Sequence, residues 1–452
     1  MAARRSSPVG CRAARWRCRP RRRRGCWIKR AGSASAARRA ALDVLRAVRA
    51  GARFGEARDR CFAGLDSRDR RLAYELSAGV LRRQVDLDRA IDLSRADRRL
   101  HDLLRLGAYQ LRFLSRVPAH AAVSTTVDLA RDAAGEAAAG YVNQALRKLA
   151  GVRWQVSGGG ASHPKWLVQR WNARYGEAGT ARLIAWNDRT PALTLQPARW
   201  DLDTVARGLR EAGVVVTEAP FHAGLCPTPD TRHLTPRSLP GYDEGAWIVQ
   251  DPAHALVCRF AAIPRGSLVY DACAAPGGKA VTLERLGARV LAGDARRDRL
   301  PRLVETVRRA GVAIRVVAAD LVAAPLAWSW ADVVLVDAPC SATGTMARHP
   351  DARWRLRPGI IARAAARQRE LLAAAARNVR RGGMLVYATC SLEPEENEAI
   401  IDEFLTRHTE FGRAPVPPDV PVELLTADGD FVTLPPQHGV GGAYAARLVR
   451  SR

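Results

Sequence analysis

Lysine is almost missing from this 452-residue chain: of 72 basic residues only Lys29, Lys148, Lys165 and Lys279 are lysine. Arginine in place of lysine, with abundant alanine and glycine, is what a GC-rich genome encodes, so part of the basic excess reflects coding bias. The sign of the field survives that discount. A formal charge of +27 makes a polyanion, most readily nucleic acid, the expected partner. The nine cysteines form no C-x-x-C pair, and Cys11, Cys18 and Cys26 are spaced unlike common zinc sites. No metal and no disulfide framework are therefore expected, and a reducing cytoplasm fits best. No apolar run approaches the roughly 18 residues of a membrane span. Acid is absent from residues 1–35, which hold 12 Arg or Lys and leave +15 for the rest. This tail also lacks the apolar core of a secretory signal. It reads as a disordered RNA-touching arm, a transit-like sequence, or translation from a start codon set too far upstream.

The length suits two or three domains at roughly 100–200 residues each. Between residues 36 and 155 apolar residues recur at three and four, over 41–48, 72–81, 100–114, 123–130 and 140–149, which predicts an all-α bundle. Residues 156–163, with Ser157-Gly-Gly-Gly160, read as a linker. Over 164–254 a tryptophan-rich helix (164–175) precedes a β-α-β pattern (193–196, 202–212, 214–218), a small α+β subdomain. From 255 to 452 strands at 268–270, 290–292, 315–317, 333–336 and 384–387 alternate with helices. That order predicts a Rossmann-type α/β domain with a mostly parallel sheet covered on both faces. The chain carries no internal repeat.

The chemistry gathers at the expected strand ends, where an open α/β sheet binds ligands. The first strand runs into Asp271-Ala-Cys273-Ala274-Ala275-Pro276-Gly277-Gly278-Lys279. Paired glycines let backbone pass close to a ligand and open a helix at its positive end. The loop is neither G-x-G-x-x-G nor a Walker A sequence. Asp294 and Asp320 follow the second and third strands, suited to a ribose hydroxyl pair and an adenine amino group, although either alone reads as a helix N-cap. Past the fourth and fifth strands come Asp337-Ala-Pro339-Cys340 and Thr389-Cys390-Ser391, the latter before a helix start at Glu393-Pro394 that would lower a thiol pKa. A lone strand cysteine is a small buried hydrophobe; two at adjacent crevice positions point to a nucleophile. A thiolate adding at C6 of a pyrimidine turns C5 into a carbon able to attack an electrophilic methyl group. A second thiol then has a role in release.

Taken together, DACAAPGGK, DAPCSATGT, Arg348-His-Pro-Asp-Ala-Arg-Trp354 and YATCSLEPEEN resemble the RNA cytosine-C5 methyltransferases of the Nop2/Sun family. The stretches 69–76, 79–82, 104–111 and 141–147 resemble a NusB-like RNA-binding domain. The resemblance covers about residues 36–452. It implies S-adenosylmethionine as cofactor and a cytosine in 16S ribosomal RNA as target; a monomer is the default expectation. It also implies Cys390 as nucleophile, Cys340 assisting release, and a cofactor site of residues 273–279 with Asp294, Asp320 and Asp337, the last also facing the base. Transfer RNA as substrate and a non-catalytic RNA-binding assembly factor are the rival readings. The sequence departs from the family at Ala342, where glycine is usual and a narrowed pocket is expected, and near Gly439-Val-Gly-Gly442, which lacks an aspartate before glycine.

Overall fold

The computed structural model describes residues 33–93, 96–152, 162–228, 236–323 and 329–451. The tail up to residue 32, with Cys11, Cys18 and Cys26, and the glycine run 157–160 lie outside them.

Seven helices form the first part: α1 (Ser33–Arg49), α2 (Phe54–Cys61), α3 (Ser67–Arg82), α4 (Gln84–Ala90), α5 (His101–Phe113), α6 (Ala119–Ala134) and α7 (Glu136–Ala150). Their apolar stripes close one core around Leu42, Leu76, Leu103, Leu104, Val142 and Leu146. Periodicity did not reveal α2 and α4. Both are too short to show a full amphipathic period, and α2 buries only Phe54 and Ala57.

Next come α8 (Lys165–Asn187), broken by the positive φ of Gly176, and a four-stranded antiparallel sheet ordered β2-β3-β1-β4. Its strands are β1 (Leu195–Pro197), β2 (Val216–Glu218), β3 (Leu225–Pro227) and β4 (Trp247–Val249). Helix α9 (Leu202–Glu211) starts where Asp201 accepts from the Thr204 amide at 2.8 Å. It joins β1 to β2 as the pattern suggested, but β3 pairs between them. The sequence pattern did not show β3 or β4.

Helix α10 (Pro252–Phe260) leads into β5 (Leu268–Asp271), α11 (Gly278–Arg285), β6 (Arg289–Asp294), α12 (Leu300–Ala310), β7 (Arg315–Ala318) and β8 (Ala331–Asp337). Then follow α13 (Ala352–Arg355), α14 (Pro358–Ala376), β9 (Val379–Thr389), α15 (Glu398–Arg407), β10 (Phe411–Arg413), β11 (Phe431–Thr433), α16 (Pro435–His438) and β12 (Ala443–Arg450). The sheet order is β10-β12-β9-β8-β5-β6-β7, with β11 against β12. All five expected strands are present and parallel; β10, β11 and β12 add an antiparallel edge. Both faces are buried, so alternate residues enter different cores. Val269, Val333, Leu335 and Val386 pack under α11 and α12, while Tyr270, Val334, Val336 and Tyr387 pack under α14 and α15.

The helical domain seats on residues 347–355. Trp354 Nε1 donates to Leu81 O at 2.7 Å and its ring joins the helical core. Arg82 donates to Ala347 O at 3.1 Å, and Asp351 accepts from the Phe54 amide at 3.1 Å. Trp354→Ala removes both a hydrogen bond and a ring from this seam. It should destabilise the protein by about 2–3 kcal/mol, read as a lowered denaturation midpoint.

Candidate active site

Strand order reverses between β5 and β8, and ligands bind at the carboxyl ends beside such a reversal. Asp271 ends β5 and Asp337 ends β8, which delivers Cys340; Thr389 ends the neighbouring β9, which delivers Cys390. The two sulfurs lie 3.2 Å apart. A sequence separation of 50 residues is thus cancelled by one strand pairing, Asp337 against Ala388.

A buried carboxylate fixes this approach. Glu396 accepts from the Ser341 amide at 2.8 Å, from both the Ser341 and Ser391 hydroxyls, and from Gln368 Nε2 at 3.1 Å. Each thiol is therefore followed by a serine tied to the same side chain. Further bonds lock the loops: the Gly344 amide to Cys390 O at 3.0 Å, and the Leu392 amide to Thr343 Oγ1 at 2.8 Å. Burial pushes the Glu396 carboxyl up, against the hydrogen bonds it receives. The Cys340 thiol is held well above its ordinary value by its bond to Cys390, by burial, and by the charges of Cys390 and Glu396. Cys340 is thus the protonated partner of the pair.

Lys279 donates to Asp337 at 2.7 Å from a nearly fully buried position. Burial alone would lower its pKa, but Asp337 and, further off, Cys258 and Cys390 hold the ammonium charged. The Lys279 ammonium and the Cys390 sulfur interact through space. The expected helix start at Glu393 is a 3-10 turn (Pro394–Glu396), and α15 begins only at Glu398, because Glu396 is drawn inward to the two serines.

The glycine loop runs from β5 to α11, with Gly277 in the left-handed region at φ 106°. Asp294 is buried and accepts from the Ala275 amide at 3.2 Å and the Arg296 amide at 2.8 Å. Asp320 sits exposed at the edge, accepting from the Val322 amide and paired with Arg367 at 3.4 Å. Cys273 packs against the core under α14, its thiol pushed up by burial and then by Asp271. Ala274 is buried and Gly278 lies against Gln250. Cys340, Cys390, Asp337 and Lys279 are brought together; Ala274–Gly278 and Asp294 form the adjoining wall, and Asp320 stands apart from the thiols.

Sequence reasoning gave no role to Asp271, Gln250 or Glu396. Both Asp271 oxygens and Gln250 Nε2 are buried without a hydrogen-bond partner, a deficit that polar ligand groups would remove. Burial, then the Asp337 charge, pushes Asp271 up to about 7, with Lys279 opposing. The signal for Asp271 was present, since it opens the glycine loop. Nothing local marked Glu396 among four neighbouring acidic residues.

The two departures resolve differently. Ala342 holds φ 61°, the left-handed region that glycine enters without strain. At Gly441 a side chain would meet the Asp251 carboxylate at 2.7 Å. Asp251 already caps α10 and binds Arg348 at 2.6 Å and the Gly441 amide at 3.2 Å, so an acid there would face an acid.

Among known proteins, residues 262–449 match the family model described as 16S rRNA methyltransferase RsmB/F. Residues 35–151 match the NusB family, and 163–226 the RsmF/B-like ferredoxin-like domain. A probable ribosomal RNA small subunit methyltransferase B from Synechocystis sp. is 35% identical over 413 residues, 85% of this chain and 92% of its own. The Vibrio cholerae ribosomal RNA small subunit methyltransferase B is 38% identical over 362 residues, 75% and 82% of the two chains. The crystal structure of PH0851 superposes with TM-score 0.77 at 25% identity, covering 92% of this chain and 98% of that one. NSun6 from Pyrococcus horikoshii shares the fold with TM-score 0.57 at 19% identity, over 64% and 98%.

Glu396→Ala strips the acceptor from two serines and a glutamine. It should destabilise the protein by about 2–4 kcal/mol, and Glu396→Gln by less, measured by thermal denaturation.

Proposed function

The chain belongs to the RsmB/F family of 16S rRNA methyltransferases, and from that membership we propose that it methylates C5 of a cytosine through a transient Cys390–C6 bond. The observation that carries this reading is the pair of thiols 3.2 Å apart at the strand-order reversal. Methylation at a ring nitrogen needs no thiol, because the nitrogen already has a lone pair.

Cys390, as thiolate beside the Lys279 ammonium, forms the S–C6 bond, and the C5=C6 electrons move into the ring. S-adenosylmethionine supplies the electrophilic methyl group. Lys279 and Asp337, one cation and one anion joined at 2.7 Å, would face the donors and acceptors of the cytosine edge. After transfer water takes the C5 proton, the C5–H electrons re-form C5=C6, and the S–C6 electrons leave on sulfur to return the Cys390 thiolate. Cys340, held protonated, can donate a hydrogen bond to the departing sulfur and so ease its release. The target base must leave its stack to reach the crevice.

The unpartnered atoms suit the cofactor's amino-acid end. The Asp271 carboxylate would hold its ammonium, Gln250 Nε2 its carboxylate, and Asp294 its ribose, beside the loop Cys273–Lys279, with Asp320 at the adenine edge. Residues 36–155, 164–254 and 255–452 act as helical RNA-binding, small α+β and catalytic domains of a cytoplasmic monomer. Among the described residues no helix is long and apolar enough to cross a membrane, and no His/Cys/Asp/Glu group could hold a metal.

Cys340→Ala incubated with S-adenosylmethionine and unmethylated 16S rRNA should give a protein–RNA band on a denaturing gel. The band should vanish when Cys390 is also replaced. No adduct, with no methyl transfer by the unaltered protein either, would sink the mechanism.

Cofactor affinity should depend on pH with a definite sign. Asp271 titrates at about 7 in the free protein, and a cation binds only its ionised form. Affinity should fall about tenfold from pH 8 to pH 6, measured by calorimetry, and Asp271→Asn should bind weakly at both.

A further inference from the structure

We propose that the seam between the helical and catalytic domains is a binding site for phosphates of the RNA backbone, built by Arg53 from one domain and Arg296, Arg299 and Arg355 from the other. The inference rests on the function proposed above and says where the substrate is gripped.

Short contacts bring together the segments that carry these four arginines. Asp351 Oδ2 accepts both from the amide of Phe54, the residue after Arg53, and from Arg355 Nε at 2.8 Å. Glu56, three residues past Arg53, lies 3.6 Å from Arg296. Arg299 begins the turn into α12, and Arg302, one turn on, reaches Asp59 of α2 at 3.3 Å. Charge does not balance here. Arg296 shares Glu56 and Asp298, and Arg355 has Asp351. Among the described residues, Arg53 and Arg299 have no carboxylate within ion-pair distance. Beyond burial, the Arg53 guanidinium is depressed by Arg299, Arg355 and Arg296, with Glu56 alone opposing.

Like charges converging across a domain seam repel, and nothing in the packing requires them. Trp354 and Arg82 already hold the domains together. A polyanion lying over the seam would remove the repulsion and add charge-assisted bonds from forked guanidiniums. The position also fits. The Arg296 amide binds Asp294, whose other oxygen takes the Ala275 amide of the cofactor loop. Arg355 ends the segment that continues from the Cys340 loop. A phosphate here would anchor the strand at the lip of the site, with both domains touching it.

The test is the double substitution Arg53→Gln, Arg299→Gln in the full chain. Binding of unmethylated 16S rRNA is measured by filter retention across a series of salt concentrations. The expected result is at least tenfold weaker binding at low salt, with the slope of log K against log salt shallower by about 1 to 2, roughly one unit for each phosphate no longer neutralised. Arg53→Lys, Arg299→Lys should restore most of the slope. The glutamine variant should melt no lower than the unaltered protein, because repulsion has been removed; a purely structural role would lower it. An unchanged salt slope, while the unaltered protein binds and methylates RNA, would overturn the phosphate site and leave the proposed function standing. An unaltered protein that neither binds nor methylates RNA would overturn both.

Discussion

One buried carboxylate sets the chemistry of this molecule. Glu396 has no solvent exposure and reaches the residue after each reactive cysteine. An ionised group so placed is tolerated only when its oxygens are filled with hydrogen bonds, and two serines, an amide and Gln368 fill them. In return, two loops from different strands cannot drift apart without leaving a charge unpaired. Such anchoring holds the two thiols in a fixed geometry.

The sheet does the coarser positioning. Parallel strands β5, β8 and β9 place Asp271, Asp337 with Cys340, and Cys390 at one edge, because each chain leaves its strand at the same end. The reversal of strand order between β5 and β8 opens the crevice there. Within it charges are sorted by burial. Lys279 and Asp337 pair, Asp271 is left without a partner, and Cys340 keeps its proton. Among the described residues, the Asp271 carboxylate and Gln250 Nε2 are two of the buried polar groups that the fold leaves unsatisfied.

Residues 347–355 join the thiol site to the helical domain. They continue directly from the Cys340 loop, yet Trp354 is part of the helical core and Asp351 receives the start of α2. Any shift of the helical domain is therefore transmitted to the segment behind one of the thiols. The arginines that meet at this junction lie on both of its sides.

Periodicity was enough for the long elements: five helices of the bundle and five parallel strands stand where apolar spacing put them, since each buries a full stripe or face. The glycine loop, both cysteines and the aspartates after successive strands were legible too, because strand ends are where short-range sequence and crevice chemistry coincide. Four short elements, β3, β4, α2 and α4, were not. Glu396 looked like one surface acid among several, Asp271 like the opening of a turn, and Ala342 like a question of pocket width. The roles of the two acids follow from neighbours far off in the chain, Ser341 for Glu396 and Asp337 for Asp271. The sequence by itself determined which groups could react. Only the tertiary structure decided which of them meet, which keep their protons and where charge is left uncompensated, because burial and through-space distance control those energies and neither is a property of chain order.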